Sequence, residues 1–296
     1  MHYGDRKGSE MEELFKPIPD YAKRDGVIWL EHYSPSAIEK PLANWVFDYV
    51  YLGGRRRDIK VGAPAPAGGA AHDAIQAVVC DDVEIGDAIA DAEGRLFDHA
   101  ARDDLDEQKK QRYIDDMGAM VANGVEAMTH FGDIDATKEQ VLGYEHPRLD
   151  LPIIGYADFC SSDCIIELKT KWARAGAVRK DGSRGFSIPS APKKPDAAHV
   201  RQVAFYYAAS GKLPSIVYIS ANDYVIFNSE NCEELSVPNL QRGMEQLLMG
   251  AIVRQNLLKI SNDPAVLAWY VQPDWNDFRW NIGDEFLEEA KELWKL

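Results

Sequence analysis

Two short, mostly apolar runs near the middle of the chain have the pattern of paired β-strands. They span residues 152–160 and 164–170 and are separated by a short polar turn. Apolar runs of this length, divided by turn residues, predict a β-hairpin. With a two-residue loop, the register puts Asp158 directly opposite Glu167.

The spacing of apolar residues predicts further elements on both sides of this hairpin. Helical spacing or a capping residue predicts helices over 36–52, around His72, in two or more pieces of 81–131, and over 196–210, 239–260 and 284–294. Alternating or apolar runs predict strands over 141–146, 213–220 and 224–227. Residues 62–69 and 174–195 lack a periodic pattern, and we expect loops there, the second of them mobile.

These elements predict an α/β fold with a central mixed β-sheet flanked by helices, and extra helices N- and C-terminal to it. The chain of 296 residues is long enough to bury a full core. We expect residues 1–32 to form an N-terminal arm and residues 33–296 to form a single domain. Within that domain, residues 81–131 form a helical insertion and residues 239–296 a helical extension.

Composition is that of a soluble globular protein. No apolar run approaches the roughly 20 residues of a membrane span, and the N-terminus lacks the apolar core of a signal peptide. We therefore expect a cytoplasmic protein with no membrane partner. The four cysteines do not make a disulfide framework for a chain of this length, and we interpret them as small buried hydrophobes.

Charge is distributed unevenly along the chain. The net charge is −15, but residues 169–201 contain nine basic and two acidic residues, which gives them +7 and the remainder −22. A basic stretch beside the hairpin is what binding of nucleic-acid phosphates requires. The sequence therefore predicts DNA contacts from Lys171, Arg174, Arg179, Lys180, Arg184, Lys193, Lys194 and Arg201, and from a second cluster at Arg55, Arg56 and Arg57. The alternative is a solvated charged loop.

The opposed carboxylates of Asp158 and Glu167 point to metal chemistry. Directly opposed side chains have Cβ atoms about 5 Å apart, and like charges there are destabilising. A buried pair of this kind needs a shared proton or a cation between the two groups, and Mg²⁺ or Mn²⁺ held by oxygen atoms meets that need. Lys169 lies on the same strand face as Glu167. A lysine beside a cation has a lowered pKa, which suits a base. The alternative is a strand pair with polar outer faces.

The order Asp158, hairpin, Glu167-x-Lys169 resembles the catalytic core of the PD-(D/E)XK nuclease superfamily. Upstream, the Gly69–His72 segment resembles the G-x-x-H helix of the RecB-like, phage-type exonuclease branch of that superfamily. Downstream, the segment from Gln202 to Tyr206 resembles the Q-x-x-x-Y motif of the same branch. The motifs come in the family's order, and the resemblance runs from about residue 34 to residue 227. It implies a restriction-endonuclease-like core.

The resemblance also assigns roles to individual residues. It implies that the catalytic residues are Asp158, Glu167, Lys169, Gln202 and Tyr206. It implies a Mg²⁺ or Mn²⁺ ion held by His72, Asp158, Glu167 and the backbone carbonyl of Leu168, with Glu145 as the candidate for the glutamate that commonly precedes the hairpin. Only Cys232 lies beyond the core, so we expect no iron–sulfur cluster of the kind that some relatives carry.

The implied activity is metal-dependent hydrolysis of DNA, by an exonuclease that acts on linear duplex or single-stranded ends. Recombination, repair or DNA degradation, in a phage among other settings, is the implied context. The implied partners are DNA, further copies of the chain and a recombination protein. Two alternatives remain open. One is a nuclease-fold module that has lost catalysis and serves DNA binding or assembly. The other is an endonuclease of restriction or resolvase type.

Overall fold

The structure is a computed structural model that describes residues 17–24, 27–59, 62–99, 104–135 and 140–295. The fold is mixed α/β. Its α-helices are α1 (Pro35–Ile38), α2 (Leu42–Trp45), α3 (Pro64–Asp81), α4 (Ile85–Asp98), α5 (Asp104–Met128), α6 (Ala197–Ser210), α7 (Val237–Ile260), α8 (Pro264–Leu267) and α9 (Asp284–Leu293). A π-helical stretch, Val46–Tyr51, continues α2, and 3₁₀ turns lie at Asp20–Ala22, Gly53–Asp58, Thr129–Phe131, Glu233–Leu235 and Phe278–Trp280. None of the helices in these residues is long and apolar enough to cross a membrane.

Ten strands form one larger sheet and three pairs. The strands are β1 (Lys23–Arg24), β2 (Val27–Ile28), β3 (Gln140–Tyr144), β4 (Ile153–Ala157), β5 (Phe159–Cys160), β6 (Cys164–Thr170), β7 (Arg174–Val178), β8 (Arg184–Ser187), β9 (Leu213–Ile219) and β10 (Tyr224–Phe227). The pairs are β1–β2, β3–β4 and β7–β8. The larger sheet has the order β10-β9-β6-β5. In it β6 and β9 are parallel, while β5 and β10 are antiparallel to their neighbours.

The chain divides into two compact units. The first unit comprises Met1–Ile59, Val141–Gly155 and Arg242–Leu296, and the second comprises Lys60–Gln140 and Tyr156–Gln241. The four-stranded sheet and helices α3 to α6 belong to the second unit. A single domain over residues 33–296 stays a prediction.

The β5–β6 hairpin has the register that the sequence predicts. Phe159 pairs with Ile166, Cys160 pairs with Ile165, and the Ser161 N–H donates to the Cys164 carbonyl at 2.9 Å. This register follows from the alternation of side chains, because a slip by one residue would move every apolar side chain to the opposite face. Continued by one residue, this register would put Asp158 opposite Glu167. The hairpin is confirmed for β5 and β6, but the predicted first strand over 152–160 is divided at Asp158, and residues 153–157 pair with β3 in a different sheet.

The core of the second unit lies between the sheet and helices α3, α4 and α5. Ile166 and Leu168 of β6 and Val217 and Ile219 of β9 are all buried in it. Helix α3 meets this core through alanines, which allow a close approach of the helix backbone. Because side chains alternate along β6, Glu167 and Lys169 face away from this core. The packing that buries the even-numbered apolar residues of β6 therefore puts Glu167 and Lys169 together on the opposite face of the strand.

Two predicted boundaries at prolines are wrong. The expected loop over 62–69 is helical from Pro64, because proline at the first helical position loses no hydrogen bond there and its ring presets the backbone angle. The expected helix over 36–52 is interrupted between Ile38 and Leu42, with Pro41 as the N-cap of α2. The residue before a proline is disfavoured in helical geometry, so the chain has to break there.

The expected mobile loop over 174–195 is also corrected, because it contains the β7–β8 hairpin. Ala175 pairs with Phe186 and Val178 with Arg184, and a register shift lies between the two pairs. Gly182, with φ of +79°, occupies the left-handed region in the turn. The irregular register and the many charged side chains remove the alternation by which a strand is recognised in a sequence.

The first unit is held by buried polar side chains as well as by apolar packing. The guanidinium of Arg254, 4% exposed, donates to the carbonyls of Gly250 and Lys40 and lies 5.5 Å from the ring centre of Trp45. Part of the predicted N-terminal arm belongs to this unit, since Arg24 donates to the Val50 carbonyl at 2.9 Å. Residues 1–16 of that arm lie outside the described residues.

Gly124 of α5 tests the packing that positions α3. A Cβ atom at this position would lie 2.2 Å from Ile75 Cδ1 of α3 and 3.3 Å from Ile219 Cδ1 of β9. Gly124→Val should lower the free energy of unfolding by about 1–3 kcal/mol, because the added side chain overpacks a closed core. The matched control is Gly94→Val in α4, an exposed site with no atom within 4 Å of the added Cβ. Denaturant titration measures both variants, and equal stabilities would contradict the packing argument.

Candidate active site

Strand β6 brings a carboxylate and an ammonium group together in the interior of the second unit. Glu167 is only 2% exposed, and Lys169 follows it on the same face of the strand. The Lys169 ammonium group donates a short hydrogen bond to Glu167 Oε1. A buried carboxylate is costly without such a partner, so this pair accounts for one of the two Glu167 oxygens.

Helix α6 closes a hydrogen-bond ring around that pair. Asp196 caps the helix, and Gly211 ends it in the left-handed conformation, as the sequence predicts. Lys169 donates to Gln202 Oε1 at 3.1 Å, and Gln202 Nε2 donates to the Tyr206 hydroxyl at 2.8 Å. The Tyr206 oxygen lies 2.8 Å from Glu167 Oε2. Residues four apart share one helix face, so the Q-x-x-x-Y spacing lets both side chains reach the ends of the ion pair.

Helix α3 places His72 against Asp158. The His72 Nε2 and Asp158 Oδ2 atoms are 3.1 Å apart, and both side chains are largely buried. Nε2 is nevertheless a buried atom without a hydrogen-bond partner within the described residues, so its contact with Asp158 is one of charge. Asp158 Oδ2 accepts instead from the Leu168 N–H at 2.8 Å, across the hairpin.

Gln76 is a positioning residue that the sequence interpretation missed. It is buried on α3, one turn after His72, and its Nε2 donates to the Asp158 carbonyl at 3.1 Å. The bond fixes the backbone that carries the Asp158 side chain. A signal was present in the sequence, because Gln76 is a polar residue on the alanine-rich face of α3, four positions after His72.

The pKa values of the two carboxyl groups shift in opposite directions. Burial raises the pKa of Glu167, and the charge of Asp158 raises it further, against the opposing effect of Lys169. Burial also acts to raise the pKa of Asp158, but His72, Lys169 and the Leu168 N–H outweigh burial and lower it. Asp158 therefore carries its charge readily, and Glu167 is the carboxyl group that gains most from an additional cation.

The two basic groups are both held in the charged form. Burial lowers the pKa of His72, but the charges of Asp158 and Glu167 outweigh burial and raise it to about 9. Burial likewise lowers the pKa of Lys169, and again the two carboxylates outweigh it and raise the pKa. Lys169 owes this direction to its direct contact with the Glu167 carboxylate. The lowered pKa expected for a lysine beside a cation stays a prediction.

The residues at this site fit a hard divalent cation. Two ligand atoms at right angles on one Mg²⁺ ion lie about 3 Å apart, close to the 3.1 Å between His72 Nε2 and Asp158 Oδ2. Nε2 makes no hydrogen bond within the described residues, and once its proton is lost it can serve as a metal ligand in place of its charge contact with Asp158. In the described residues, no group of three or more His, Cys, Asp or Glu side chains is arranged to hold a metal ion. Both oxygens of Glu167 already have partners, Lys169 and Tyr206.

Several predicted residues lie apart from this cluster in the chain or already have partners. Glu145 is exposed and belongs to the first unit, so its part in a metal site stays a prediction. Arg55, also in the first unit, forms an ion pair with Glu289 at 2.6 Å. Arg56 lies 4.5 Å from the ring centre of Tyr49. DNA contacts from Arg55, Arg56 and Arg57 stay predictions.

The basic residues after β6 belong to the second unit. Lys171 lies 4.9 Å from the ring centre of Tyr218, the residue that pairs with Lys169 in the parallel ladder. Arg174 and Arg184 lie on the β7–β8 hairpin. The remaining predicted DNA contacts are exposed, apart from Arg201, which is half-buried on α6; they are Arg179, Lys180, Lys193, Lys194 and Arg201.

Comparisons with known proteins provide little guidance. No protein-family model matches the chain, and no curated protein matches it. A solved structure described as "Crystal structure of SSO0001" is similar over 57% of this chain and 87% of that chain, with 15% sequence identity and a TM-score of 0.24. A likeness at this TM-score carries no argument, so the chemistry of the site has to be argued from its geometry.

Tyr206→Phe should lower the free energy of unfolding by about 1–3 kcal/mol, since it leaves buried polar groups without a partner. The hydroxyl contacts Gln202 and Glu167 and lies 2.7 Å from the Tyr156 carbonyl. Tyr207→Phe is the matched control, because Tyr207 lies on the same helix and makes no side-chain hydrogen bond with any described residue. Its stability should change by less than about 0.5 kcal/mol. Chemical denaturation that gives the same change for both variants would refute the closed ring.

Proposed function

We propose that this chain is a divalent-metal-dependent deoxyribonuclease of the PD-(D/E)XK superfamily, RecB-like branch, acting as an exonuclease on DNA ends. The observation that carries the proposal is the meeting of three separate sequence motifs in one buried cluster. The hairpin supplies Asp158, Glu167 and Lys169, helix α3 supplies His72, and helix α6 supplies the Gln202–Tyr206 pair. A chance match of motifs gives no reason for their side chains to touch.

The sheet supports a restriction-endonuclease-like core as part of the same proposal. An antiparallel hairpin, β5–β6, leads through helix α6 to β9, which is parallel to β6. β10 then extends the sheet in the antiparallel direction. This arrangement is a mixed sheet in which the strand with the charged residues occupies an interior position.

The proposed metal site draws on groups from three elements. His72, Asp158, Glu167 and the Leu168 carbonyl would hold a Mg²⁺ or Mn²⁺ ion. When bound, such an ion supplies positive charge that stabilises the phosphodiester transition state and activates water. The raised pKa of Glu167 supports this proposal, because a carboxylate that lacks compensating charge gains most from a cation.

Lys169 orients the attacking water and neutralises charge that develops on the phosphate oxygens. Its contacts with Glu167 and Gln202 restrict the long side chain to one direction, so little conformational entropy is lost when substrate binds. Gln202 and Tyr206 are positioning residues in this scheme. The raised pKa of Lys169 favours the ammonium form, which suits the stabilisation of developing charge better than proton abstraction.

DNA ends are the proposed substrate, because no part of the chain is set aside as a target-recognition region and RecB-like relatives mostly process ends. A recombination, repair or degradation role follows from that substrate class. Homo-oligomers and a recombination partner belong to the same proposal. Retention of four charged side chains in one buried cluster favours catalysis over a retired module, since a site without function is free to lose its costly buried charges.

Asp158→Ala, Glu167→Ala and Lys169→Ala should each reduce cleavage of linear duplex DNA by at least about 10²-fold. The reason is that each removes a metal ligand or the group beside it. Asp163→Ala is the matched control, since Asp163 is an exposed acidic residue in the turn of the same hairpin and makes no side-chain hydrogen bond or ion pair with any described residue. The assay compares magnesium or manganese with chelator.

Retained cleavage in any of the three variants would rule out this site. Binding of DNA without metal-dependent cleavage in the unsubstituted protein would instead support the retired module. Cleavage of closed circular DNA would support an endonuclease.

His72→Ala should raise the metal concentration needed for half-maximal cleavage by about tenfold or more, because it removes one ligand. It should also reduce the rise in melting temperature that Mn²⁺ produces, since a ligand stabilises the fold in proportion to its affinity. His130→Ala is the control, an exposed histidine whose Nε2 contacts the Tyr224 hydroxyl. An unchanged metal midpoint in His72→Ala would leave His72 with a packing role only.

A further inference from the structure

A basic groove lies beyond the end of β6. It has a volume of about 500 Å³ and is lined by side chains from α5, from the segment that follows Lys169, and from the β7–β8 hairpin. Its basic lining residues are Lys109, Lys171, Arg174 and Arg184, and none of its lining residues in the described part of the chain is acidic. In a chain of net charge −15, a concave surface with this excess of basic side chains favours anions.

Two residues that line this groove have buried hydrogen-bond donors without acceptors. The Nε atom of Arg184 is buried and has no partner within the described residues. The indole Nε1 of Trp172, a residue 8% exposed, is also buried and unpartnered in that part of the chain. Buried donors without acceptors are rare, and each points to a group that the chain itself does not supply. Both orphans are donors, so the missing group is an acceptor.

Several cations on the helices of the second unit are paired. Arg95 of α4 contacts both Asp73 and Asp91, and Arg112 of α5 contacts Asp116. Within the described residues, the side chains of Arg174 and Arg184 form no ion pair. The charge of these two arginines is therefore available to a ligand.

The groove is a preformed part of the fold. Gln108 Nε2 of α5 donates to the Gly182 carbonyl at 3.1 Å, which attaches the turn of the β7–β8 hairpin to that helix. The Tyr113 hydroxyl donates to the Ala173 carbonyl at 3.3 Å, and the Tyr113 and Trp172 rings are 4.9 Å apart. Two walls of the groove are thus joined at both ends, and little ordering is required when a ligand binds.

The groove and the candidate active site are connected along the chain. Lys171 follows Lys169 by two residues, and its N–H continues the ladder by donating to the Ile219 carbonyl at 2.7 Å. Two residues of extended strand cover about 6.6 Å, and their side chains share a face. A polyanionic strand that occupies the groove therefore has its next phosphate near the Lys169 ammonium group.

We propose that the basic groove is a phosphate-binding subsite that holds the DNA strand adjoining the scissile phosphodiester. Arg174 and Arg184 contact the backbone phosphates, Lys171 connects the groove to the catalytic strand, and Lys109 extends it along α5. The subsite rests on the proposed nuclease function for the identity of its ligand. It adds a binding surface that lies outside the metal cluster and includes α5, an element with no catalytic residue.

The test is binding of labelled linear DNA in chelator, over a series of salt concentrations, by fluorescence anisotropy. Arg174→Gln and Arg184→Gln should each reduce the slope of log affinity against log salt by roughly 0.9 for duplex or roughly 0.7 for single strands, and the double variant by about twice that. Arg242→Gln is the control, because Arg242 is exposed on α7, has the same charge and does not line the groove. Slopes and affinities equal to those of the control would overturn the subsite.

Arg174 is exposed, so Arg174→Gln decides the matter even if the half-buried Arg184 proves necessary for folding. Loss of stabilisation by inorganic phosphate alone, with DNA binding unchanged, would assign the groove to a small anion and also overturn the proposal. The proposed nuclease function and the proposed subsite can be refuted independently. Salt slopes that fall in the groove variants of a protein that does not cleave DNA would refute the nuclease and keep the subsite. Metal-dependent cleavage with unchanged salt slopes in the groove variants would keep the nuclease and refute the subsite.

Discussion

Two carboxylates that face each other across a buried hairpin are the constraint on which the second unit depends. Asp158 and Glu167 repel each other at the distance that the strand register sets, and neither is well solvated. Different groups stabilise the two carboxylates. Asp158 is stabilised by His72 and a backbone N–H, while Glu167 depends on Lys169 and Tyr206. Helix α3 thus supplies a partner for Asp158, and helix α6 supplies a partner for Glu167.

The hydrogen bonds around Glu167 do not fully compensate its negative charge. Tyr206 has a single hydroxyl hydrogen, yet its oxygen lies within 2.8 Å of both the Tyr156 carbonyl and Glu167 Oε2. Gln202 donates to the same oxygen and supplies no further hydrogen to either acceptor. This one hydrogen serves two acceptors, and burial and the charge of Asp158 outweigh the contacts with Lys169 and Tyr206 and raise the pKa of Glu167. A site that lacks one positive charge in this way is suited to a cation.

The sequence predicted the centre of this site better than its surroundings. The reason is how far apart along the chain the interacting residues lie. The hairpin register and the Gln202–Tyr206 spacing follow from periods of two and of about four residues, which a local pattern contains. The β7–β8 hairpin and Gln76 were missed, because a register shift hides the first and the partner of the second lies 82 residues away. The partner of Arg55, Glu289, is farther still along the chain. A partner this far along the chain leaves no local trace, even where the polar residue itself stands out, as Gln76 does on the alanine-rich face of α3.

Charge pairing, more than net charge, determines where an acidic chain can bind an anion. Carboxylates outnumber cations by 15, so most basic side chains can find a partner, as Arg95 and Arg112 do on the helices beside the core. Arg174 and Arg184 lie on a hairpin in a stretch with few acidic residues. Their charge is therefore not neutralised locally, while repulsion from the rest of the chain limits binding elsewhere. The negative charge of the rest of the chain then increases selectivity for the groove that Arg174 and Arg184 line.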